Sequence, residues 1–358
     1  MKLLTILGTR PELIRLCLIV KKLDGLCDQV IVHTGQNYDV NLNDIFIKEL
    51  GLRKFNYYLG AKGTFGEQIG TICAGLEGII EKEKPDAFLV LGDTNSSLGA
   101  IVAKRFGVRV FHMEAGNRCF DDRVPEETNR RLIDHNSDIL LPYTERSRAN
   151  LLREGIEGRR IFVTGNPIKE VLEHYADEID GSDIMKKLEV KAKNYFLVTL
   201  HRAENVDIDE RLKKFVSALN KLNEDYNMPV IWSVHPRTRN RLGKLNLKLN
   251  KDVKALEPLG LFDFVNLEKN AFCALSDSGT VQEECSIYRV PNVTLRDVTE
   301  RPETIEVGSN FIAGCEPEVI MRGVKTVTSV EPKWNPPVEY MIDNVSDTIS
   351  KIVLSYWK

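Results

Sequence analysis

The feature that most constrains the fold of this chain is the alternation, over nearly its whole length, of short apolar runs with segments of helical periodicity. Apolar runs of strand length that alternate with amphipathic helices are typical of βαβ units, in which parallel strands are buried on both faces. We predict strands at residues 2–7, 29–34, 87–91, 108–111, 139–142 and 161–164 in the first half, and at 195–200, 230–234, 271–276 and 292–295 in the second. The sequence therefore predicts an α/β fold with doubly wound parallel sheets.

The length of the chain indicates two domains. At 358 residues it exceeds what a single core usually supports. A charged stretch at residues 173–193 separates the two series of strands. We predict a Rossmann-like N-terminal domain at 1–170 and a Rossmann-like C-terminal domain at 171–341, with the helix of residues 342–358 packing back on the first domain.

Composition excludes several classes of protein. Hydrophobic residues make up 42% and charged residues 28%, and the formal net charge is -3, so neither disorder nor a broad nucleic-acid-binding surface is expected. No apolar run approaches membrane-spanning length, and the first residues do not resemble a signal peptide. The seven cysteines include no close pair, which argues against a zinc knuckle or a redox pair. We expect a soluble, cytoplasmic protein with no nucleic-acid or membrane partner.

Three acidic residues follow secondary-structure elements where an enzyme would use them. Asp93 comes after the run 87–91, Glu114 comes after the run 108–111, and Glu126 follows a helix-opening proline. Because ligands of parallel sheets bind beyond the carboxyl ends of the strands, we expect these acids to lie at one edge. Acids gathered at such an edge predict proton chemistry.

Each acid also has a structural interpretation. Asp93 could cap a helix starting near Ser97, and carboxylates in a first helical turn, such as Glu126, complement the helix dipole. Glu114 is harder to explain in this way, because the stretch HMEAGNR places ionisable groups among apolar and small residues. The set is therefore interpreted as catalytic, with the structural role kept as the alternative.

Two further segments could bind phosphates. Arg10 lies at a helix start after the first strand, where backbone N–H groups already favour an anion; a solvated side chain is the alternative. This loop lacks the three-glycine spacing of a dinucleotide fingerprint. In the second half, Ser278 and Gly279 can present a hydroxyl and amides to a phosphate, and Glu284 could accept two hydrogen bonds from a ribose.

The histidines show no metal-ligand spacing. His201 and His235 each follow a predicted strand, and no two histidines lie one helical turn apart. We interpret His201 as a phosphate donor or an acid, and we predict no metal.

Taken together, these segments resemble the non-hydrolysing UDP-N-acetylglucosamine 2-epimerase family. The matching motifs are GTRPE at 8–12, TGQ at 34–36, KPD at 84–86, GDT at 92–94, EAG at 114–116, PEE at 125–127, TGN at 164–166, HRAEN at 201–205, DSG at 277–279, QEE at 282–284 and ERPE at 300–303. Their number and order cover most of the chain, and this makes the resemblance specific.

The resemblance implies two Rossmann-like domains in a GT-B arrangement, an active site in the interdomain cleft, a homodimer, a UDP-sugar substrate and no cofactor. It implies 2-epimerisation of a UDP-N-acetylhexosamine through a glycal, supplying sugar nucleotides for cell-surface polysaccharide. By position, the catalytic residues become Asp93, Glu114, Glu126 and His201. The substrate-binding residues become Arg10, Arg15, Arg130, His235, Ser278, Gly279, Thr280, Glu284 and Arg301.

The chain departs from the family pattern at two places. Arg15 stands where the family usually has lysine, which changes reach and geometry. Asn37-Tyr38 stands where many members have a histidine that helps to bind an activating substrate molecule, so we do not expect that activation. Residues 113–123 more closely resemble a branch that forms UDP-N-acetyl-L-fucosamine, which leaves the sugar open.

Three other functions remain as alternatives. A GT-B glycosyltransferase would need only one catalytic base, and a silent sugar-nucleotide sensor would need none, so the set of acids argues against both. A hydrolysing 2-epimerase that releases free N-acetylmannosamine stays open at this point.

Overall fold

The computed structural model describes residues 1–36 and 40–356, with only the backbone described at 40–44, 236 and 237. The predicted departure at Asn37-Tyr38 lies outside the described residues. The chain divides into two compact units, Met1–His174 with Glu339–Lys358 and Tyr175–Val338. The sequence-based limits, after residues 170 and 341, remain our proposal for the boundaries of the domains.

The first unit contains a six-stranded parallel sheet in the order β3-β2-β1-β4-β5-β6. Its strands are β1 (Lys2–Leu7), β2 (Asp28–His33), β3 (Tyr57–Tyr58), β4 (Ala87–Leu91), β5 (Arg109–Met113) and β6 (Ile139–Leu141). Its helices before the second unit are α1 (Arg10–Asp24), α2 (Val40–Glu49), α3 (Phe65–Glu83), α4 (Ala100–Arg105), α5 (Pro125–Asn136), α6 (Glu145–Arg153) and α7 (Ile168–His174).

The second unit contains another six-stranded parallel sheet, in the order β12-β11-β10-β7-β8-β9. Its strands are β7 (Phe196–Leu200), β8 (Val230–Val234), β9 (Val253–Leu256), β10 (Cys273–Ser276), β11 (Asn292–Thr294) and β12 (Asn310–Ile312). Its helices are α8 (Ala176–Asp180), α9 (Ile184–Leu188), α10 (Ala203–Val206), α11 (Asp209–Tyr226), α12 (Pro236–Lys244), α13 (Leu261–Asn270), α14 (Gly279–Tyr288), α15 (Pro302–Glu306) and α16 (Pro317–Thr328). The last helix, α17 (Val345–Ser355), belongs to the first unit.

Both sheets have the same topology. The first strand of each unit is central, the next two strands lie on one side of it, and the following three lie on the other side. The strand order therefore reverses between β1 and β4 in the first unit and between β7 and β10 in the second. In open α/β sheets, ligands bind beyond the carboxyl ends of the strands at such a reversal. The prediction of an α/β fold with two Rossmann-like domains is confirmed.

The central strands form where the sequence is most apolar. Five of the six residues of β1 and all five of β4 are buried, because helices cover both faces of the sheet. Helix α1 begins with a proline in its first turn and with Glu12, whose carboxylate accepts from the backbone N–H groups at the helix start. Its buried side chains include Leu13, Leu16 and Val20.

The structure differs from the sequence-based prediction mainly at the sheet edges. The three strands that were not predicted, β3, β9 and β12, are all edge strands and are only partly buried, so they lack the apolar run that marks a central strand. The strand predicted at residues 161–164 is wrong, because this segment makes only an isolated bridge between Ile161 and Leu140. Among the described residues, no helix is long and apolar enough to cross a membrane.

Candidate active site

The loop after β1 is tied to the loop after β4 by the buried carboxyl group of Glu12. Its Oε2 accepts from the backbone N–H groups of Gly8 at 2.6 Å and Thr9 at 2.7 Å, and its Oε1 accepts from Thr94 Oγ1 at 2.6 Å. Burial raises the pKa of Glu12 to about 7, against the hydrogen bonds that lower it. Glu12 thus connects both sides of the strand reversal, next to Arg10, which lies 5.7 Å from the ring of Phe46.

Asp93 forms an ion pair and does not cap a helix. Arg130 Nε donates to Asp93 Oδ2 at 2.7 Å, and Asn129 Nδ2 donates to the Asp93 carbonyl at 2.9 Å. The short helix that follows spans Asn95–Gly99 and has Thr94 at its N-cap position. The capping interpretation of Asp93 is therefore wrong, since its carboxylate contacts α5.

Glu114 is buried and paired with Arg15. Arg15 Nη1 donates to Glu114 Oε2 at 3.0 Å, and Asn117 Nδ2 donates to its Oε1 at 3.2 Å. Glu114 has a φ of 64°, a left-handed conformation that costs a non-glycine residue about 1 to 3 kcal/mol and is common at functional sites. A Cβ atom at Gly92, whose own φ is 72°, would lie 4.0 Å from Glu114 Oε2. The Glu114 carboxyl group therefore lies beside the residue that precedes Asp93.

The two acids at the start of α5 differ in environment. Glu126 is half-buried, four residues before Arg130 on the same helix. Glu127 is fully buried and accepts from the backbone N–H groups of Cys119 at 3.0 Å and Phe120 at 3.1 Å, and from Arg130 Nη1 at 2.5 Å. Burial opposes ionisation, but the Cys119 amide and Arg130 lower the pKa of Glu127 below its usual value. Glu127 thus anchors the loop before α5.

A buried charged network lies behind these acids. His112 Nε2 donates to the Gly92 carbonyl at 2.9 Å, and its Nδ1 lies 2.8 Å from Asp134 Oδ1. Asp134 also pairs with Arg118, whose Nη2 lies 2.8 Å from Asp134 Oδ2. Burial alone would raise the pKa of Asp134, but His112 and Arg118 lower it. The network holds the backbone next to Asp93, through the Gly92 carbonyl, and the end of the strand that precedes Glu114.

In the second unit, Asp277 organises the loop that carries His201. Asp277 is fully buried and accepts from the backbone N–H groups of His201 and Arg202 and from Asn205 Nδ2, at distances of 3.0 to 3.2 Å. His201 Nδ1 lies 3.1 Å from Asp277 Oδ1, while the His201 side chain is 40% exposed. Burial would raise the pKa of Asp277, but His201 and the other donors lower it to about 2. The contact holds the imidazole at Nδ1 while its side chain remains partly exposed.

The start of α14 combines backbone amides with a guanidinium group. Ser278 is the N-cap residue and Gly279 the first residue of the helix. The guanidinium of Arg301 lies 3.5 Å from the position of a Cβ at Gly279, and its Nε donates to the buried Glu283. A helix N-terminus beside an arginine is a site for an anion. Thr280 is half-buried in the same turn.

Two other predicted residues of this unit lie close to the same strand ends. His235 follows β8, the neighbour of β7, and is half-buried. Glu284 is buried within the second turn of α14. Among the described residues, no group of three or more histidine, cysteine, aspartate or glutamate side chains could bind a metal ion.

Sequence reasoning missed four acids that hold the site loops, namely Glu12, Glu127, Asp277 and Glu283. For Glu12 a signal was present, because Thr9 and Glu12 have the spacing of a capping box. Apart from Arg130 and Arg131 on the same helix as Glu127, the partners of the other three lie 7 to 76 residues away along the chain, as in Phe120 for Glu127 and His201 for Asp277. No local pattern encodes such contacts.

The fold is that of an α/β enzyme, with carboxylate–arginine pairs after two strands of one doubly wound sheet and, in the other unit, a helix N-terminus beside an arginine at the strand reversal. A family profile described as UDP-N-acetylglucosamine 2-epimerase matches residues 21–354. The chain belongs to this family, and the isomerase function predicted from the sequence is confirmed.

Known relatives agree with this assignment. The UDP-N-acetylglucosamine 2-epimerase of Methanocaldococcus jannaschii is 46% identical over 348 residues, covering 94% of this chain and 95% of that protein. The UDP-2,3-diacetamido-2,3-dideoxy-D-glucuronate 2-epimerase of Pseudomonas aeruginosa is 37% identical and covers 91% of this chain and 92% of that protein. The crystal structure of the Methanocaldococcus jannaschii enzyme in complex with UDP-GlcNAc and UDP matches with a TM-score of 0.94 at 44% identity, over 99% of both chains. The predicted fold class is thereby confirmed.

Proposed function

We propose that this enzyme inverts carbon 2 of the sugar in a UDP-N-acetylhexosamine and releases no free sugar. The observation that carries the proposal is the presence of two separate carboxylate–arginine pairs, Asp93–Arg130 and Glu114–Arg15, after the neighbouring strands β4 and β5. An epimerase must remove a proton from one face of the ring and return one to the other, so it needs more than one acid–base group.

The chemistry explains why the nucleotide must leave. No carbonyl adjoins carbon 2, so its proton is not acidic enough for direct removal. When a carboxylate takes that proton, the bond between carbon 1 and the diphosphate oxygen breaks, UDP departs with the bonding electrons, and a glycal double bond forms between carbons 1 and 2. Return of UDP to carbon 1, with protonation of carbon 2 on the opposite face, gives the epimer.

We assign the roles by unit. Asp93, Glu114 and Glu126 of the first unit are the acid and base groups, and Arg130 and Arg15 form ion pairs with Asp93 and Glu114, respectively. In the second unit, the start of α14 with Arg301 binds the diphosphate and Glu284 binds the ribose. His201, oriented by Asp277, and Arg10 stabilise the charge that develops on the departing diphosphate.

The sugar is the least constrained part of the substrate. The relatives include one named for UDP-N-acetylglucosamine and one named for a diacetamido-glucuronate, so the shared reaction accommodates different substituents. We propose UDP-N-acetylglucosamine, giving UDP-N-acetylmannosamine as a precursor of cell-surface polysaccharide. The branch suggested by residues 113–123 makes the UDP-N-acetyl-L-fucosamine reaction the second candidate.

We also propose that the enzyme acts as a homodimer. Three neighbouring helices of the first unit expose large apolar side chains, Phe65 of α3, Ile101 of α4 and Leu132 of α5. Exposed apolar groups on adjacent elements are typical of surfaces that are covered in an assembly. Light scattering of the wild type and of an Ile101→Glu variant tests this: a dimer that becomes a monomer supports the surface, and a wild-type monomer contradicts it.

Proton NMR during turnover tests the reaction. With UDP-N-acetylglucosamine we expect UDP-N-acetylmannosamine to appear without free N-acetylmannosamine, and in deuterium oxide we expect deuterium at carbon 2 of both product and recovered substrate. Release of the free sugar would mean a hydrolysing enzyme, and full retention of hydrogen at carbon 2 would contradict exchange through carboxyl groups. A parallel assay with the 6-deoxy-L-talo sugar nucleotide decides between the two candidate substrates.

A further inference from the structure

Glu268 is a fully buried acid to which the proposed reaction assigns no role. It lies near the end of α13, which packs against α14. Its carboxyl group interacts with two side chains of α14, those of Glu284, proposed above to bind the ribose, and Cys285. An isolated buried carboxylate would be strongly destabilising, so the contacts of Glu268 require an explanation.

The contacts of Glu268 require a proton. The thiol of Cys285 donates to Glu268 Oε1 at 3.4 Å. Glu268 Oε2 is buried and has no hydrogen-bond partner among the described residues, while its carboxyl group is in side-chain contact with that of Glu284. Two ionised carboxylates offer only acceptor oxygens and would repel each other at this contact. A single proton between them gives one carboxyl group a donor and removes the repulsion.

Burial and charge favour Glu268 over Glu284 as the carrier of that proton. Glu268 is 0% exposed and Glu284 is 3% exposed, so Glu268 is the less hydrated of the two. Burial and the neighbouring Glu284 raise the pKa of Glu268 well above its usual value. Burial also raises the pKa of Cys285, with Glu268, Glu284 and Cys273 adding to the effect, so the thiol stays neutral and donates.

We propose that Glu268 is a neutral carboxylic acid that donates a hydrogen bond to the Glu284 carboxylate and thereby orients Glu284 for the ribose hydroxyl groups of the nucleotide. The proposal rests on the proposed function in one respect, since the ribose contact of Glu284 is itself proposed. Glu268 is a positioning residue in this scheme. Its neutral state matters because a second negative charge beside Glu284 would oppose binding of an anionic nucleotide.

The first test measures protonation without any nucleotide. Infrared difference spectra of the wild type against Glu268→Gln at neutral pH should contain the carbonyl band of a protonated carboxylic acid, lost in the variant. Glu318→Gln, which removes an exposed acid of α16, is the matched control and should remove only carboxylate bands. If Glu268→Gln also removes only carboxylate bands, Glu268 is ionised and the proposal is overturned.

The second test measures the orientation of Glu284. Its readout is the ratio of the affinities for UDP and for 2′-deoxy-UDP, which lacks one of the ribose hydroxyl groups. Glu268→Gln keeps a neutral donor and should keep the wild-type ratio. Glu268→Met has a similar length but no donor and should lose about tenfold in affinity for UDP, with little change for 2′-deoxy-UDP. A wild-type ratio in Glu268→Met overturns the positioning role.

Glu284→Gln separates this proposal from the assignment on which it rests. If Glu284→Gln lowers the ratio and Glu268→Met does not, Glu284 binds the ribose without help from Glu268. If Glu284→Gln leaves the ratio unchanged, the ribose assignment is wrong and the orienting role of Glu268 falls with it. The infrared result still decides whether Glu268 is protonated.

Discussion

The acids of this chain differ in the partners that surround them, and for Glu127 and Asp93 the partners distinguish a supporting role from a proposed catalytic role. Glu127 accepts from two backbone amides and from Arg130, so its oxygens are occupied by the protein itself. Asp93 meets an arginine with one carboxylate oxygen, and its side chain remains 23% exposed. A carboxylate with a free, reachable oxygen can exchange a proton with a substrate.

Amide substitutions test the assignment of the three proposed catalytic acids. The variants are Asp93→Asn, Glu114→Gln and Glu126→Gln. Because an amide cannot transfer the proton, a variant at a catalytic position should lower kcat by about two to four decades while UDP binding is retained. We expect this of at least two of the three. Steady-state kinetics and calorimetry with UDP provide the two measurements, and turnover within tenfold of the wild type in all three variants would exclude the mechanism.

The matched control is Glu127→Gln, which should lower the free energy of unfolding. It removes one of the two carboxylates that pair with Arg130, the other being Asp93, so the cost should approach but not exceed the roughly 3 to 5 kcal/mol of a fully broken buried pair. Chemical denaturation should therefore report a large loss. A wild-type free energy of unfolding would mean that Glu127 does not anchor the loop.

Glu12 predicts a pH dependence of stability. Burial raises its pKa from 4.5 in the unfolded chain to about 7 in the folded protein. The folded state therefore binds the proton more tightly, so this contribution is fully present below pH 4.5 and is lost as pH rises through 7. The loss is about 3 kcal/mol at roughly 1.4 kcal/mol per pKa unit.

Denaturant unfolding of the wild type and of Glu12→Gln between pH 4.5 and 8 measures this contribution. The stability of the wild type should fall relative to that of the variant as pH rises, because the variant has no proton to lose at this position. Parallel curves would show that the hydrogen bonds from Gly8, Thr9 and Thr94 fully offset the burial of the charge.

At the scale of elements, the candidate site depends on where strands end and helices begin. β4 and β5 are neighbouring parallel strands, so the residues that follow them, Asp93 and Glu114, lie at one edge. In the second unit, β7 and β10 are likewise paired, which places His201 near the start of α14. Each unit thus presents polar groups at, or one strand away from, the point where its strand order reverses.

Gly279→Ala tests the start of α14 as the diphosphate site. A methyl group there would lie in ordinary contact with Arg301, at 3.5 Å, and the helix should tolerate or favour alanine. We expect an unchanged or slightly higher melting temperature together with about tenfold weaker UDP binding, because the methyl group covers the backbone amides and weakens about one charge-assisted hydrogen bond.

Gly78→Ala in α3 is the control, since apart from its chain neighbours and the backbone of its own helix no described atom lies within 4 Å of its added Cβ. It should leave UDP affinity unchanged and raise stability by up to about 1 kcal/mol. Wild-type UDP affinity in Gly279→Ala would place the diphosphate elsewhere.

At the scale of the whole molecule, the first unit is assembled from two separate segments of chain. Helix α17 buries Val345, Ile349 and Val353 completely, and it packs on α1. Ser346 Oγ donates to Glu170 at 2.5 Å, which fixes the start of the helix. The second unit is continuous and contains its own apolar core.

Fragments should therefore differ in their ability to fold. A fragment of residues 1–174 lacks α17 and loses about 5 kcal/mol or more of apolar burial, which is comparable to the whole stability of a domain. We expect it to melt without cooperativity, and we expect residues 175–338 to melt cooperatively. Circular dichroism during heating measures both, and a cooperative transition in 1–174 that a peptide of residues 339–358 does not shift would contradict the prediction.

Much of the architecture is encoded locally and could be predicted. Central strands such as β1 and β4 are buried on both faces, so they appear as apolar runs, and the acids that follow them can be found by position alone. The edge strand β3 has only two residues, one of which is exposed. It therefore forms no apolar run that could be recognised in the sequence.

What the sequence by itself determined is the series of elements and the identity of the polar groups at their ends, because hydrophobic periodicity and chain order are local properties. The tertiary structure decided which groups meet. Arg130 lies 37 residues from Asp93, and Glu268 comes against Glu284 only when α13 packs on α14. The protonation of a carboxyl group follows from such contacts, since burial and neighbouring charges act through space and not along the chain.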